Sequence, residues 1–157
     1  LCPGTVNVPG VVALGKACEI ANLQMQTESS RIREYRDKME AELTAKIPGL
    51  KVNGHPEERL CGNLSVSIPE VFPDLMMARL QGVAVSSGSA CSSASMAGSH
   101  VLKAIGVSGE LSRSTLRFGI GRYTTETEID QALNIVLTAY EKSRKNKTVS
   151  STMEATL

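Results

Sequence analysis

The sequence predicts an α/β fold in which helices alternate with short strands and pack against one small, mainly antiparallel sheet. Two long stretches place apolar residues at helical spacing, and several short runs alternate apolar and polar residues as half-buried strands do. The chain has 157 residues, of which 41% are hydrophobic, so it is long enough and apolar enough to bury a core. This composition excludes a largely disordered chain.

Each element is predicted from its spacing of apolar residues and its turn residues. Helices are predicted over residues 11–26, 30–47, 74–82 and 99–106, and from residue 124 or 125 to about residue 142. Their proposed N-caps are Ser29 or Ser30, Asp74, Ser99, and Thr124 or Thr125. Strands are predicted over residues 50–54, 63–68, 83–87 and 114–120. Residues 1–144 form the predicted domain, and the polar residues 145–157 form a flexible tail.

The charge balance argues against two classes of partner. Seventeen basic and sixteen acidic residues give a net charge of +1, so no overall field favours nucleic acid. No run approaches the roughly 20 apolar residues that span a bilayer, so a soluble protein without membrane contact is expected. The helix over residues 30–47 carries Glu/Lys pairs at i,i+4 spacing, typical of a solvated face; the pairs are Glu34–Lys38, Lys38–Glu42 and Glu42–Lys46.

The four cysteines show neither a CxxC pair nor zinc-ligand spacing, so no metal site is predicted. We expect reduced thiols and therefore a cytoplasmic protein, or an organellar one if an upstream targeting segment exists. Cys18 lies on the apolar face of the first helix, where a core thiol is expected. The two histidines, His55 and His100, are interpreted as structural or surface residues.

One segment is set apart by its composition. SSGSACSSAS, residues 86–95, places Cys91 among six serines and one glycine, between a predicted strand and a predicted helix. A flexible Ser/Gly connector with an incidental cysteine is one interpretation. The other is a loop that carries a nucleophilic thiol to a substrate, since a polar loop provides the exposure that a reactive thiol needs.

Arg117 is the second candidate, because it interrupts an otherwise apolar strand in LRFGIGRYTTETEID. A charge there is costly unless it meets an anion. The planar guanidinium can bind a carboxylate through two parallel hydrogen bonds. A structural ion pair with an acidic side chain is the alternative.

These residues together resemble a known family. SSGSACSSAS, SHVLKAIG and STLRFGIGRYTTETEID, in this order, resemble the C-terminal part of the cysteine desulfurases of the iron–sulfur-assembly and nitrogen-fixation type. These are class V aminotransferases with the fold-type I architecture of pyridoxal-phosphate enzymes. GTVNVPGVVALGKACEIA and NGHPEERLCGNLSVSI also resemble the family, so the likeness extends from residue 4 to residue 144.

The resemblance implies an activity and roles for three residues. The family transfers sulfur from L-cysteine to a loop cysteine as a persulfide, releases L-alanine, and passes the sulfur on for iron–sulfur cluster assembly or other delivery. Cys91 matches that nucleophile, Arg117 the arginine that binds the substrate carboxylate, and Thr5 the residue that reaches the cofactor phosphate of the other subunit. The resemblance also implies a homodimer and a sulfur-acceptor or scaffold partner.

The resemblance has two departures. Cys2-Pro3 replaces the family's Arg-Ser before Gly-Thr, and the run SHK-x-Y-G-P-K-G, which carries the lysine that binds pyridoxal 5′-phosphate, is not in this chain. Because that lysine is missing, the chain by itself is expected to be inactive. The apolar helix face over residues 11–25 is expected to associate with a cofactor-binding domain or with a second copy of the chain. The alternative function is a non-catalytic interaction module or persulfide carrier with the same fold.

Overall fold

The computed structural model describes residues 4–87, 99–107 and 109–144, so the predicted tail lies outside the described residues. Five helices and four strands follow in the order α1 Val8–Lys46, β1 Lys51–Val52, β2 Asn63–Ser67, α2 Pro73–Arg79, β3 Ser86–Ser87, α3 His100–Ala104, α4 Gly109–Arg113, β4 Thr115–Gly119 and α5 Glu126–Ser143. The strands form one antiparallel sheet in the order β1-β2-β4-β3. The predicted α/β class and antiparallel sheet are confirmed. The short helix α4 was not predicted.

The core lies on one face of the sheet. In β2 and β4 the residues Leu64, Val66, Leu116 and Phe118 are buried, and they belong to one apolar cluster with residues of the helices. The helical members are Ile32, Met39 and Leu43 of α1, Met76 of α2, and Ile129, Leu133, Val136, Ala139 and Tyr140 of α5. Removing these side chains from water is the main stabilising contribution to the domain.

Helix α1 is continuous over 39 residues, so the predicted division into two helices is wrong. Ser30, proposed as a cap, lies inside the helix and its Oγ donates to the Gln26 carbonyl at 3.1 Å. Ile32 is the first buried side chain of the helix, and the apolar residues before it remain exposed; these include Val11, Val12, Leu14, Leu23 and Met25. Long as α1 is, no helix in the described part of the chain is apolar enough to cross a membrane.

The charged face of α1 also forms ion pairs with α5. Lys38 pairs with Asp130 at 2.7 Å and with Glu126 at 2.9 Å, which joins α1 to α5. These carboxylates raise the pKa of Lys38 above its ordinary range. Of the three predicted pairs within α1, the structure forms Glu42–Lys46, at 2.6 Å. Exposed ion pairs contribute little to the free energy of folding. We therefore interpret the two Lys38 pairs as contacts that orient α1 relative to α5.

The helix starts agree in part with the predicted caps. The Ser99 side chain accepts from the Leu102 N–H, and Thr125 forms a capping box with Glu128 at the start of α5. The predicted Asp74 cap is wrong, because Pro73 already occupies the first helical turn and the helix begins after Phe72. Proline suits that position, since its missing N–H has no partner within the helix.

Candidate functional site

The second face of the sheet is polar. Side chains alternate between faces along a strand, and residues opposite each other in an antiparallel pair share a face. The register places Ser65 of β2 opposite Arg117 of β4, and Ser67 opposite Thr115. On the far side of β4, Ser86 of β3 also stands opposite Arg117. Arg117 therefore lies on the face away from the core, between two serines.

Arg117 is exposed and has no internal partner among the described residues. No hydrogen bond or ion pair joins its guanidinium to a residue in 4–87, 99–107 or 109–144. The alternative of a structural ion pair therefore finds no acidic partner in the described part of the chain. No described residue uses the donors of this guanidinium, whose geometry suits an anion.

A cavity of about 360 Å³ opens beside Arg117. Its lining residues are Asn53, Gly54, Asn63, Ser65, Ser87, Ser99, Val101, Leu102, Ile105, Thr115 and Arg117. Arg117 is the one charged residue among them, and the apolar contribution comes from α3 and the turn after it. Polar side chains surround one guanidinium in part of this cavity, which suits a small anion, and the guanidinium geometry favours a carboxylate.

A buried hydrogen-bond network borders this cavity. The Asn53 Nδ2 donates to Ser67 Oγ at 2.9 Å, and Ser67 Oγ lies 2.7 Å from Thr115 Oγ1. Thr115 Oγ1 in turn donates to the Leu111 carbonyl at 2.8 Å. Asn53, Ser67 and Thr115 are all at most 7% exposed. The network ties the segment after β1 to β2 and β4, so it holds the strand that carries Arg117.

The network was not predicted from the sequence, although one signal for it was available. Polar residues occupy alternate positions in both predicted central strands, which places them on one face if the strands pair. A row of polar side chains on two adjacent strands needs mutual hydrogen bonds or solvent. The partnership between positions 53, 67 and 115 itself depends on strand pairing over long sequence distances.

Arg122, the other arginine in the same motif, is engaged within the fold. Its guanidinium binds Glu28 at 2.7 Å and Gln24 at 2.8 Å on α1. The Glu28 carboxylate raises the pKa of Arg122 above its ordinary range. From α1, Arg31 donates to the carbonyls of Arg122 and Thr124. Arg122 therefore fixes the turn after β4 against α1, in contrast to Arg117.

Thr5, another predicted site residue, is not brought to this cavity. Thr5 is exposed and precedes α1, whose first turn is capped by the Asn7 side chain accepting from the Gly10 N–H at 3.1 Å. Thr5 does not line the cavity beside Arg117. Cys91 lies outside the described residues, whereas Ser87 and Ser99, which flank residues 88–98, both line the cavity.

Cys18 and the two histidines form no site with other described residues. Cys18 is exposed, so its predicted place in the core is wrong: the apolar helix face exists, but no described element covers it. His55 is exposed and its Nδ1 accepts from the Glu58 N–H at 2.8 Å, a structural role as predicted, and His100 is exposed. Among the described residues, no three His, Cys, Asp or Glu side chains are close enough to hold a metal ion.

Pyridoxal phosphate does not fit the cavity beside Arg117. The cofactor needs a lysine amine for its covalent link and several donors for its phosphate. Among the described residues that line the cavity there is no lysine, and Arg117 is the one cation. These residues can hold a substrate carboxylate but cannot by themselves form a complete cofactor site.

Two curated proteins that are similar to this chain are both named cysteine desulfurase IscS. The cysteine desulfurase IscS of Anaeromyxobacter dehalogenans is 44% identical over 151 residues, which are 96% of this chain and 37% of that protein. The cysteine desulfurase IscS of Rickettsia prowazekii is 41% identical over 142 residues, 90% of this chain and 35% of that protein. The chain thus spans little more than a third of the length of these curated relatives.

Two solved structures have a fold similar to that of this chain. A structure titled NifS-like protein superposes with a TM-score of 0.74 at 28% identity, over 88% of this chain and 35% of that chain. The X-ray structure of a NifS-like protein from Rickettsia africae gives 0.73 at 21% identity, over 88% and 36%, and shows a likeness of fold alone. The family described as aminotransferase class-V matches residues 2–132. Since this match takes in well over half of the sequence, the chain belongs to the class V aminotransferase family.

Proposed function

We propose that this chain is the portion of a cysteine desulfurase that binds the carboxylate of L-cysteine through Arg117 and receives its sulfur on Cys91. The observation that carries the proposal is Arg117, which has no partner among the described residues, in a cavity whose wall also includes Ser87 and Ser99. The segment that contains Cys91 therefore begins and ends at the cavity that contains the candidate carboxylate ligand.

Chain length limits the separation of the two residues. Cys91 follows Ser87 by four positions, and four extended residues span at most about 14 Å. Ser86 is paired with Arg117 across β3 and β4, so this tether starts on the strand next to the one that carries Arg117. A thiol tethered at this distance has a high effective concentration at the cavity.

The proposed reaction balances without any further reactant. The thiol of Cys91 and L-cysteine give the Cys91 persulfide and L-alanine: the sulfur–sulfur bond forms, the carbon–sulfur bond of the substrate breaks, and each product keeps one of the two thiol hydrogens. Class V aminotransferases use pyridoxal phosphate, which supplies an electron sink for such cleavage when bound. In this chain Arg117 would hold and orient the substrate, and Cys91 would attack as the thiolate.

The proposed partners follow from what this chain lacks. The part that carries the cofactor lysine must come from elsewhere in a longer protein or from another chain, and the product persulfide needs a sulfur-acceptor or scaffold protein. Thr5, exposed before α1, is the residue proposed to reach the cofactor phosphate of the other subunit in a homodimer. Free thiols at Cys18 and Cys61 agree with the reducing cytoplasm as the compartment.

A chimeric enzyme tests the proposal. The chain replaces the corresponding part of the Anaeromyxobacter dehalogenans protein, and alanine release from L-cysteine is measured. The chimera should be active. Cys91→Ala should abolish persulfide formation while cysteine still binds, and Arg117→Ala should raise KM by tenfold or more, because a charge-assisted hydrogen bond contributes about 1.5–3 kcal/mol.

The control is Arg79→Ala, an exposed arginine at the end of α2 that does not line this cavity. It should leave both KM and persulfide formation unchanged. Persulfide formation at the normal rate in the Cys91→Ala chimera would refute the assignment of the nucleophile. An unchanged KM in the Arg117→Ala chimera would refute the carboxylate site.

The alternative function, an interaction or carrier module, is favoured by the uncovered part of α1. Val11, Leu14 and Met25 are each at least 60% exposed, and a helix segment that packs on nothing is poorly stabilised in water. We propose that this face associates with the cofactor-binding part or with a second copy. A monomer at high concentration by light scattering would contradict association with a second copy.

A further inference from the structure

We propose that Ser65 donates a second hydrogen bond to the carboxylate held by Arg117, and so helps to select ligands with a carboxylate group. The inference rests on the proposed function, because it takes Arg117 as the primary carboxylate ligand. It adds a binding residue from a different strand, identified by register, cavity and hydrogen-bond direction.

Ser65 is placed to reach the same ligand as Arg117. The two residues stand directly opposite each other in the β2–β4 pair, and both line the cavity of about 360 Å³. Side chains opposite each other in an antiparallel pair have Cβ atoms about 4.5–5.5 Å apart. A carboxylate has two oxygens, so one oxygen can accept from the guanidinium while the other accepts from the serine hydroxyl.

Asn53 fixes the direction in which the Ser65 hydroxyl can donate. The Asn53 Nδ2 donates to Ser65 Oγ at 3.3 Å and to Ser67 Oγ at 2.9 Å. Since Thr115 Oγ1 donates to the Leu111 carbonyl, the Ser67 hydroxyl donates to Thr115 Oγ1, and Ser67 Oγ accepts from the buried Asn53 amide. Because Ser65 Oγ already accepts from this amide, its own hydrogen is left for another acceptor.

That hydrogen has no acceptor among the described residues, since Ser65 accepts from Asn53 but donates to none of them. The neighbouring Arg117 guanidinium makes any acceptor there more favourable when it is anionic. A carboxylate bound to Arg117 supplies such an acceptor. A neutral amide in the same place would lack the charge that both donors favour.

Ser86 provides a comparison within the same sheet. It stands opposite Arg117 on β3, as Ser65 does on β2. It lines a separate cavity of about 350 Å³ with Arg117, but no described residue accepts from or donates to its side chain, whereas Ser65 Oγ accepts from Asn53. We therefore expect the hydroxyl of Ser65 to contribute more to carboxylate binding than that of Ser86.

The test measures binding of L-alanine and of L-alaninamide to the 157-residue chain by NMR titration, following the backbone N–H signals of β2 and β4, which every variant retains. L-alaninamide keeps the amine and replaces the carboxylate with a neutral amide. Ser65→Thr and Ser65→Val are an isosteric pair that differs in the hydroxyl. We expect the Kd for L-alanine to rise about tenfold in Ser65→Val and Ser65→Ala, and to stay within about twofold in Ser65→Thr and Ser86→Ala.

The outcomes separate this inference from the proposed function. If Arg117→Gln weakens binding but Ser65→Val does not, the role of Ser65 is refuted and the carboxylate site at Arg117 stands. If Arg117→Gln leaves binding unchanged, the carboxylate site of the proposed function is refuted. Three other outcomes would overturn the inference. The first is an equal loss of affinity for L-alanine in Ser65→Val and Ser65→Thr. The others are equal affinity of the unaltered chain for L-alanine and L-alaninamide, and no binding of L-alanine by the unaltered chain.

Discussion

The two faces of strand β4 differ in what they contribute, although they alternate within five residues. Leu116 and Phe118 are 3% and 4% exposed and belong to the core under α1 and α5. Arg117, between them, is exposed on the opposite face beside a polar cavity. One face of the strand therefore stabilises the domain and the other presents a charge to a ligand.

The comparison extends to β2, where it shows how an exposed charge is held in place. Leu64 and Val66 are fully buried on the core face, while Ser67 is fully buried in the hydrogen-bond network of the other face. The polar face thus has its own order, made by directed hydrogen bonds rather than by apolar packing. This order holds the strand from which Arg117 extends, although its guanidinium has no partner among the described residues.

The largest expected effect on the free energy of unfolding comes from a substitution on the core face of the sheet. Leu64→Ala should lower the free energy of unfolding by about 2–5 kcal/mol, because it removes buried methyl groups and leaves a cavity. Urea unfolding followed by circular dichroism measures the change. Leu60→Ala is the matched control, since Leu60 is 80% exposed and its truncation should cost less than about 0.5 kcal/mol. Equal effects of the two variants would contradict the assignment of the core face.

A smaller effect is expected from the polar network. Ser67→Ala should lower the free energy of unfolding by about 1–3 kcal/mol, since it removes one hydrogen-bond partner from each of the buried side chains of Asn53 and Thr115. The same urea experiment measures it. Ser86→Ala, a half-buried serine on the edge strand, is the control and should change stability by less than about 0.5 kcal/mol. A neutral Ser67→Ala would mean that the network does not order this face.

A pH-dependent effect is expected at the start of α5, the helix that covers the core face. The Thr125 backbone N–H, and then its side chain, lower the pKa of Glu128 below its ordinary value. Because the folded-state pKa is lower, the ionised carboxylate stabilises the folded chain above about pH 4.3, and this contribution is lost as pH falls through the folded-state pKa.

Glu128→Gln removes this titration while keeping an acceptor for the capping box. The stability difference between the unaltered chain and Glu128→Gln should therefore be larger at about pH 7 than at about pH 3. Urea unfolding at the two pH values measures it. A difference that is equal at both values would show that the Glu128 carboxylate contributes nothing through its charge.

Much of the fold was predictable from the sequence because alternation is a local signal. The predicted strands over residues 63–68 and 114–120 agree with β2 and β4 to within one or two residues. The predicted break near residue 29 is wrong, since that stretch contains no Pro or Gly to stop a helix and its serines stay inside α1. Cys18 shows a second limit: periodicity identifies a shared helix face but not whether another element covers it.

The site was predictable only where one residue was unusual in its own segment. Arg117 was predicted because a charge within an apolar strand is costly, and the structure places it beside a polar cavity. Asn53 and Ser65 were not predicted, because each is an ordinary polar residue until strand pairing brings it near Arg117. The assignment of Cys91 stays a prediction.

The smallest expected effect on the free energy of unfolding is that of replacing Arg117, on the polar face of β4. Arg117→Ala should change the free energy of unfolding by less than about 0.5 kcal/mol, because the side chain is exposed and makes no ion pair with a described residue. Arg36→Ala is the matched control: Arg36 is 6% exposed and binds Asp37 at 2.6 Å, so its loss should cost about 1–3 kcal/mol. Urea unfolding of both variants measures this difference. If Arg117→Ala lost as much stability as Arg36→Ala, Arg117 would serve the fold, and the structural interpretation of its charge would replace the carboxylate site.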